Sequence, residues 1–277
     1  MNEFLYDINS GLISTALLIS MAVAIETGFR IGRKCQESAS AAAKSHINAI
    51  QGSIIGILAL VLGFTFSLAL QRFDSRSEAV VDEANSIGTA YLRAQLLPAA
   101  LREVAQTQLR EYIDLRVQDG ALTEANHGAR DAILEKAAQA QMSIWNHALQ
   151  AAAQEPNPVT SGLFVQSVNG LIDSFGKRVA ALDRHVPEVV LLLLYGTFLL
   201  TGGIVGYTAG VSGHRPSMIS YIMVALIVAL VFIIIDLDRP RRGFILVNQK
   251  SLLDLQSAVK GSANTANIRL PGGASPH

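Results

Sequence analysis

The sequence predicts an all-α membrane protein in which four transmembrane helices accompany a large amphipathic helical insertion between helices two and three. Three observations support this fold class. Half of the 277 residues are hydrophobic, and these residues are concentrated in four separate blocks. The long stretch between blocks two and three is instead charged and carries apolar residues at helical spacing. An ordinary soluble domain of this length would distribute its apolar residues more evenly.

Each hydrophobic block has the length that a helix needs to cross about 30 Å of hydrocarbon. Backbone polar groups in lipid must find hydrogen bonds within their own segment, so each block is predicted to be a helix. The blocks run from Leu12 to Phe29, from Ala49 to Leu70, from Val189 to Val211 and from Met218 to Ile235.

The charges around block one distinguish it from a cleaved signal peptide. Residues 1–11 contain no Lys or Arg, whereas Arg30, Arg33 and Lys34 follow the block, which is the reverse of the usual order. The block is therefore predicted to stay in the protein. Glu26 precedes Arg30 by one helical turn, which favours an ion pair at the membrane interface over an ion-binding site.

Charge bias leaves the orientation in the membrane open. More basic residues flank the blocks on the inside if both termini are cytoplasmic, but the first helical hairpin alone favours the opposite orientation. The first arrangement places inside Arg72, Arg76, Lys177, Arg178, Arg184, Arg239, Arg241, Arg242 and Lys250, and the second Arg30, Arg33, Lys34, Lys44 and Arg215.

Glycines recur at every fourth position in two of the blocks. Block three carries Gly202, Gly206 and Gly210, and block two carries Gly52 and Gly56. Small residues at this spacing let helix backbones approach closely in lipid, where the hydrophobic effect does not drive association. These faces are predicted to pack helices within one chain or, alternatively, to form a subunit interface or a pore lining.

The insertion, residues 71–188, is rich in Ala, Gln, Glu and Arg. Its apolar residues recur at three- and four-residue steps, which predicts four amphipathic helices. The breaks are expected at Pro98, near Asp119-Gly120 and at residues 155–158. Its mixed charges are typical of a solvated face. Arg72 follows block two so closely that helix two is predicted to continue out of the membrane without a break.

These patterns divide the chain into four consecutive segments. A disordered end is predicted after Ser262, where Pro271, Gly272 and Gly273 occur in a polar stretch. The segments are transmembrane helices one and two in 1–70, the soluble insertion in 71–188, transmembrane helices three and four in 189–235, and a soluble C-terminal segment in 236–277.

The sequence carries no recognised enzyme or metal-site motif. Cys35 is the only cysteine, which excludes an intramolecular disulfide and a cysteine-cluster metal site. The six histidines are scattered, and no phosphate-binding loop or hydrolase nucleophile motif is present. The net charge is zero, which gives no indication of a nucleic-acid partner. We therefore expect no catalytic site, no cofactor and no bound metal.

Three stretches carry a resemblance to known proteins: Leu62-Gly63-Phe64 with Arg72-Phe73, residues 236–244 with Leu252 to Leu255, and Glu83-Ala84-Asn85 through Tyr91-Leu92-Arg93. Here the chain resembles the bestrophin channels, and more closely a family of uncharacterised bacterial membrane proteins described as bestrophin-like. The order of blocks and insertion resembles that of these proteins over nearly the whole chain.

The resemblance implies a homo-oligomer in the bacterial inner membrane, most simply a pentamer, with the termini and the insertion in the cytoplasm. In bestrophins the second helix lines a central pore for small ions. Matching the Leu-Gly-Phe stretch places the narrow neck of such a pore on Gly56, Leu60 and Phe64. These residues share one helix face because they are four positions apart. Gly56 departs from the bulky residue that the family has there.

The resemblance also covers the exit of the fourth helix. Asp236, Asp238 and Pro240 match a segment that contributes to the calcium clasp of animal bestrophins, but Arg241 replaces its Phe and the acidic run is missing. Calcium needs six to eight oxygen ligands, so no bound calcium is expected. An interfacial salt-bridge cluster from Asp236 to Arg242 that anchors helix four is expected instead. A polar cluster at the membrane exits is expected to comprise Arg72, Arg76, Asp236, Asp238 and Arg239.

The leading functional interpretation is an oligomeric ion channel or pore of bestrophin-like type. The alternative is a non-conducting membrane scaffold or signalling protein that binds a partner through the helical insertion. A transporter would need broken helices or buried charges near the middle of the membrane, and the four blocks show neither. The charge of the ion and the gating signal do not follow from the sequence.

Overall fold

The computed structural model describes residues 10–38, 40–122, 127–239 and 244–268, without the side chains of residues 10, 127 and 262–268. The described residues form helices and no strands, which confirms the predicted all-α class. The helices are α1 (Ser10–Lys34), α2 (Ala41–Arg93), α3 (Ala99–Ala121), α4 (His127–Gln154), α5 (Ser161–Leu182), α6 (Glu188–Val211), α7 (Met218–Asp238) and α8 (Lys250–Ile268), with a short 3₁₀ helix at Ala94–Leu96.

The chain folds as two compact units. The membrane unit comprises Met1–Phe73 and Arg184–Leu246, and the helical unit comprises Asp74–Asp183 and Val247–His277. Helix α2 contributes to both units as one uninterrupted helix of 53 residues, as expected from the absence of a break after block two. The C-terminal segment divides between the units, because residues 236–246 belong to the membrane unit and the residues after them to the helical unit.

Within the described part of the chain, four helices are long and apolar enough to cross a membrane, and each contains one of the four hydrophobic blocks. The membrane unit has an apolar core to which all four contribute, for example through Met21, Leu58, Phe198 and Ile234. At the end of α1, Arg30 Nε lies 2.8 Å from Glu26 Oε1. This contact confirms the expected ion pair.

The three glycines of α6 lie against α1. A Cβ atom at Gly202 would overlap the side chain of Met21, and one at Gly206 would overlap the carbonyl oxygen of Ile25. At Gly210 it would overlap the carbonyl oxygen of Phe29. The glycine face of block three is therefore a contact within one chain.

Helix α1 contributes glycines of its own to the same contact. A Cβ atom at Gly28 would overlap the carbonyl oxygen of Gly203, and one at Gly32 would overlap that of Tyr207. The two backbones approach closely because small residues face each other from both helices. The sequence analysis identified only the α6 half of this contact.

The helical unit is built from the C-terminal part of α2 together with α3, α4, α5 and α8. Its core includes Ile87, Leu109, Ile144 and Phe164, which are completely buried. The chain breaks after the 3₁₀ helix, after Ala121 and between α4 and α5, at the three predicted places. The first of the four expected insertion helices is the continuation of α2.

Helix α8 differs from the expectation for the C-terminal segment. The chain is helical to Ile268, beyond the point where the sequence predicts disorder, while residues 269–277 lie outside the described part. Leu252 and Val259 are two turns apart on α8 and are buried in the core of the helical unit. Their burial stabilises a helix that composition alone does not indicate.

Candidate functional site

The part of α2 in the membrane unit presents two opposite faces. Leu58, Leu62 and Thr65 are buried against the other helices, whereas the side chains of Leu60 and Phe64 are 59% and 65% exposed. These two predicted neck residues therefore lie on the outward face of the unit. In a bilayer such a face meets lipid, another subunit or the axis of an oligomer.

The three glycines in the membrane part of α2 also lack close neighbours. A Cβ atom at Gly52, Gly56 or Gly63 would meet no atom within 4 Å in the part of the chain that the structure describes. Gly52 thus makes no close contact with another helix among the described residues, and its role in helix packing stays a prediction. The glycine side of α2 is available to a second copy, whereas that of α6 is already occupied by α1.

Asp236, near the end of α7, holds the chain that follows this helix. Its carboxylate accepts the backbone N–H of Phe244 at 3.0 Å and that of Ile245 at 2.9 Å. The Asp236 side chain is almost completely buried. A buried carboxylate that accepts backbone N–H groups fixes the direction of the chain as it leaves the helix.

Asp238 makes the corresponding contact with the chain that enters α6. Both of its carboxylate oxygens accept the backbone N–H of Val186, at 3.1 and 3.0 Å. The Nδ1 atom of His185 lies 3.8 Å from the Asp238 carboxylate. Asp238 therefore ties the start of α6 to the end of α7.

The expected polar cluster at the membrane exits stays a prediction. Asp236 and Asp238 both accept backbone N–H groups of other segments. Arg72 belongs to the membrane unit, but Arg76 belongs to the helical unit, where its Nε donates to the Ala181 carbonyl at 3.3 Å. The remaining members of this stretch, residues 240–243, lie outside the described residues.

The carboxylate oxygens at the end of α7 can be compared with the ligands that a bound cation would need. Within the described ranges, no group of three or more His, Cys, Asp or Glu side chains could hold a metal ion. Asp236 and Asp238 direct their oxygens to backbone N–H groups, whereas calcium requires six to eight oxygens around it.

A second polar arrangement lies in the core of the helical unit. Glu83 is completely buried, with its Oε1 atom 2.6 Å from Nε of Arg116 and its Oε2 atom in contact with Nη1 of Arg178. Arg116 Nη1 also lies 3.0 Å from Asp119 Oδ2, and Arg178 Nη2 donates to Gln249 Oε1 at 2.9 Å. We call these five residues the Glu83 network. It joins α2, α3, α5 and the segment before α8.

Burial and neighbouring charges act on the titratable groups of this region in opposite directions. Burial lowers the pKa of Arg116, but the Glu83 carboxylate outweighs it and the net shift is upward. Burial and the charge of Arg116 lower the pKa of Arg178. Burial and Glu83 raise the pKa of Tyr112, so this phenol stays neutral. Its oxygen accepts a 2.8 Å hydrogen bond from Gln141.

The Glu83 network was not predicted from the sequence, although Glu83 stands in one of the stretches that carry the family resemblance. One local signal was present: Glu83 lies within the apolar stripe of Val80, Ala84 and Ile87, where a charge is unexpected. Its partners are 33 and 95 positions away in the chain. Spacing along one helix does not reveal contacts of that range.

Replacing Glu83 by Gln should lower the free energy of unfolding by roughly 3–5 kcal/mol, because two buried guanidinium groups lose their shared carboxylate. The matched control is Asp82→Asn on the adjacent, exposed position, which should change stability by less than about 0.5 kcal/mol. Thermal unfolding of both variants measures the difference. Equal melting temperatures would show that Glu83 contributes little to the fold.

The fold defines a class of protein: an α-helical membrane protein whose second candidate span continues into a separate helical unit. The sequence matches the family described as "Bestrophin-like domain" over residues 18–252. The chain belongs to the bestrophin-like family. This confirms the resemblance that the sequence motifs indicated. A comparison with curated proteins finds no match.

Solved structures share the fold over most of the chain. A bacterial bestrophin homologue from Klebsiella pneumoniae that carries a point mutation matches with a TM-score of 0.59 and 15% identity, covering 89% of this chain and 98% of that one. A second mutant of the same homologue matches with a TM-score of 0.56, 14% identity and coverages of 87% and 99%. A structure described as a membrane protein matches with a TM-score of 0.54, 15% identity and coverages of 87% and 98%.

Proposed function

We propose that this protein is an oligomeric ion channel of bestrophin-like type in the bacterial inner membrane, with α2 lining the pore. The observation that carries the proposal is the outward exposure of Leu60 and Phe64 beside the buried Leu58 and Leu62. The core between the four membrane helices is apolar, so a water-filled path has to lie between copies of the chain. Family membership supports the same arrangement.

The proposed pore has an apolar neck. If α2 faces the axis of a ring, Leu60 and Phe64 recur in every subunit and form two stacked apolar collars. Such constrictions control ion passage by excluding water. Gly56 would form a third and wider level, because it has no side chain to narrow the path.

A non-conducting scaffold is the second candidate function, and Gly56 is the observation in its favour. One of the three neck positions carries no bulky residue, which departs from the arrangement expected for a closed pore. In this alternative, the exposed face of α2 holds subunits together, and the helical unit binds a partner protein.

Ion flux and assembly, measured on the same purified protein, separate these candidates. We expect native mass spectrometry in mild detergent to show one closed oligomer, a pentamer, and liposomes containing it to conduct ions. A monomer in every detergent would eliminate the pore, because one chain encloses no aqueous path. A stable oligomer without flux would support the scaffold.

The proposed orientation predicts which positions react with a membrane-impermeant thiol reagent in intact cells. Starting from Cys35→Ser, a cysteine at the exposed Ala138 of the helical unit should be protected, and one at Ser212 after α6 should be labelled. Helices that cross four times bring the termini and the helical unit to the same side. The opposite labelling pattern would place that side outside the cell, which is the orientation that the charges of the first helical hairpin favour.

A further inference from the structure

Three consecutive apolar residues after the end of α7 are open to the surroundings of the chain. Phe244 is 88% exposed, Leu246 58% and Ile245 37%. They belong to the membrane unit and lie in a non-helical stretch before α8. The sequence predicts a soluble segment from residue 236 onward, yet exposed apolar side chains in a row mark a surface that meets a protein or a membrane.

Helix α7 holds this stretch through two residues that are one turn apart. Asp236 accepts the backbone N–H groups of Phe244 and Ile245, at 3.0 and 2.9 Å. The ring of Phe244 lies beside that of Phe232, with 6.0 Å between the ring centroids. The chain therefore turns back along α7, and the Phe244 ring reaches the turn of the helix that precedes Asp236.

The level of Phe232 along α7 places this ring in the hydrocarbon of the membrane. Phe232 stands within the candidate span Met218–Asp238 and is followed by three more apolar residues, Ile233 to Ile235. The turn from Phe232 to Asp236 measures about 6 Å along the helix axis. Helical side chains lean toward the N-terminus, which on α7 is the direction of the membrane centre.

The hydrogen bonds of Asp236 meet a requirement of this environment. Non-helical backbone in lipid leaves N–H groups without water to bind, at a large cost in free energy. The almost completely buried Asp236 carboxylate supplies acceptors for two consecutive N–H groups. These donors in turn take the place of water around the buried carboxylate. Phe244 and Ile245 can therefore lie beside α7 in lipid with their N–H groups satisfied.

We propose that residues 244–246 form a lipid anchor, in which the Phe244 ring inserts among the acyl chains of the leaflet at the α7 exit. The bilayer is the partner because the ring packs beside a residue of a candidate span. Other exposed side chains of that helix, such as Leu226 and Ile233, are apolar as well. The lipid anchor is independent of conduction and goes beyond the proposed channel function.

Depth-dependent fluorescence quenching tests the proposal on the full-length protein in vesicles of phosphatidylethanolamine and phosphatidylglycerol. Trp145, the only tryptophan of the chain, is first replaced by phenylalanine, and Phe244→Trp then provides a single reporter. Lipids with a nitroxide on the acyl chain near the headgroup should quench this reporter severalfold more strongly than acrylamide in the water does.

Val159→Trp in the same background is the matched control, because Val159 is an apolar residue of the helical unit that is 66% exposed. Acrylamide should quench this reporter more strongly than the labelled lipids do. If Trp145→Phe does not fold, Phe244→Cys in the Cys35→Ser background carries a nitroxide instead. Its electron paramagnetic resonance signal should then respond more strongly to oxygen, which concentrates in lipid, than to a water-soluble nickel complex.

Two results would overturn the proposal. Stronger quenching of Phe244→Trp by acrylamide than by labelled lipid would place residues 244–246 in water. Protection from both quenchers, together with a blue-shifted emission, would show that a neighbouring copy of the chain covers this surface. Both results are readable whether or not the vesicles conduct ions.

Discussion

Truncating Leu60 and Phe64 together to alanine should raise the conductance of the reconstituted oligomer by about an order of magnitude and leave its assembly intact. The two side chains project away from the core of their own chain, so their removal leaves few cavities within the subunit. If they form the collars of a pore, the shorter side chains widen it and allow water to enter. Liposome flux and native mass spectrometry on the same preparation measure both effects.

The matched control for this double variant is the pair Leu58→Ala and Leu62→Ala on the opposite face of α2. These side chains are buried in the membrane unit, so each truncation should cost roughly 2–5 kcal/mol of stability and add no flux. An outward-face variant that behaves like the buried pair would contradict the pore assignment. Unchanged, near-zero flux from a stable outward-face variant would favour the scaffold.

Gly56 allows the reverse experiment on the same face. Replacing it by Ile supplies the bulky side chain that the proposed neck lacks, and no atom of the described residues lies within 4 Å of the added Cβ. Flux should fall if position 56 faces the axis. Dissociation of the oligomer would instead show that Gly56 packs against a neighbouring subunit.

Replacing Gly206 by Leu should prevent recovery of the folded protein. The first added carbon would already overlap the carbonyl oxygen of Ile25 and lie 2.9 Å from the backbone nitrogen of Phe29. Backbone atoms cannot rotate away as a side chain can, so α1 and α6 would have to separate. The yield of folded oligomer after size-exclusion chromatography and its melting temperature measure the effect.

Gly196 on the same helix provides the control, because a Cβ atom there meets no atom of the described ranges within 4 Å. Gly196→Leu should fold normally. Alanine at the two positions should change the free energy of unfolding in opposite directions. Gly196→Ala should stabilise the helix by up to about 1 kcal/mol, whereas Gly206→Ala should destabilise the protein by about 1–3 kcal/mol through overpacking. A change in the same direction at both positions would contradict the proposed role of the α1–α6 contact.

The features that the sequence could predict are local. A membrane span is recognised by an uninterrupted apolar block, and an amphipathic helix by the spacing of its apolar residues within a few turns. The breaks near Pro98 and at residues 155–158 follow in the same way from the prolines there, which interrupt helices. The absence of any breaker after Arg72 likewise predicted that α2 continues.

The features that the sequence could not predict depend on distant partners. Four-residue spacing identified Gly206 but not the backbone of Ile25 that it meets, nor the glycines of α1 that complete the contact. The acidic residues near the end of α7 suggested arginine partners because arginines follow them. In the structure Asp236 and Asp238 bind N–H groups of other segments, which no charge pattern encodes.

The order of synthesis gives the Glu83 network a further consequence. Gln249 and Leu252 complete the helical unit, yet the ribosome makes them only after α6 and α7. The core that residues 74–183 form therefore stays incomplete until α6 and α7 have been translated. Before that point, Arg178 lacks its Gln249 partner and the position of Leu252 in the core is unfilled. Maturation of the helical unit thus depends on completion of the membrane helices, and a nascent chain that stalls at α7 leaves an unfinished core exposed to proteases.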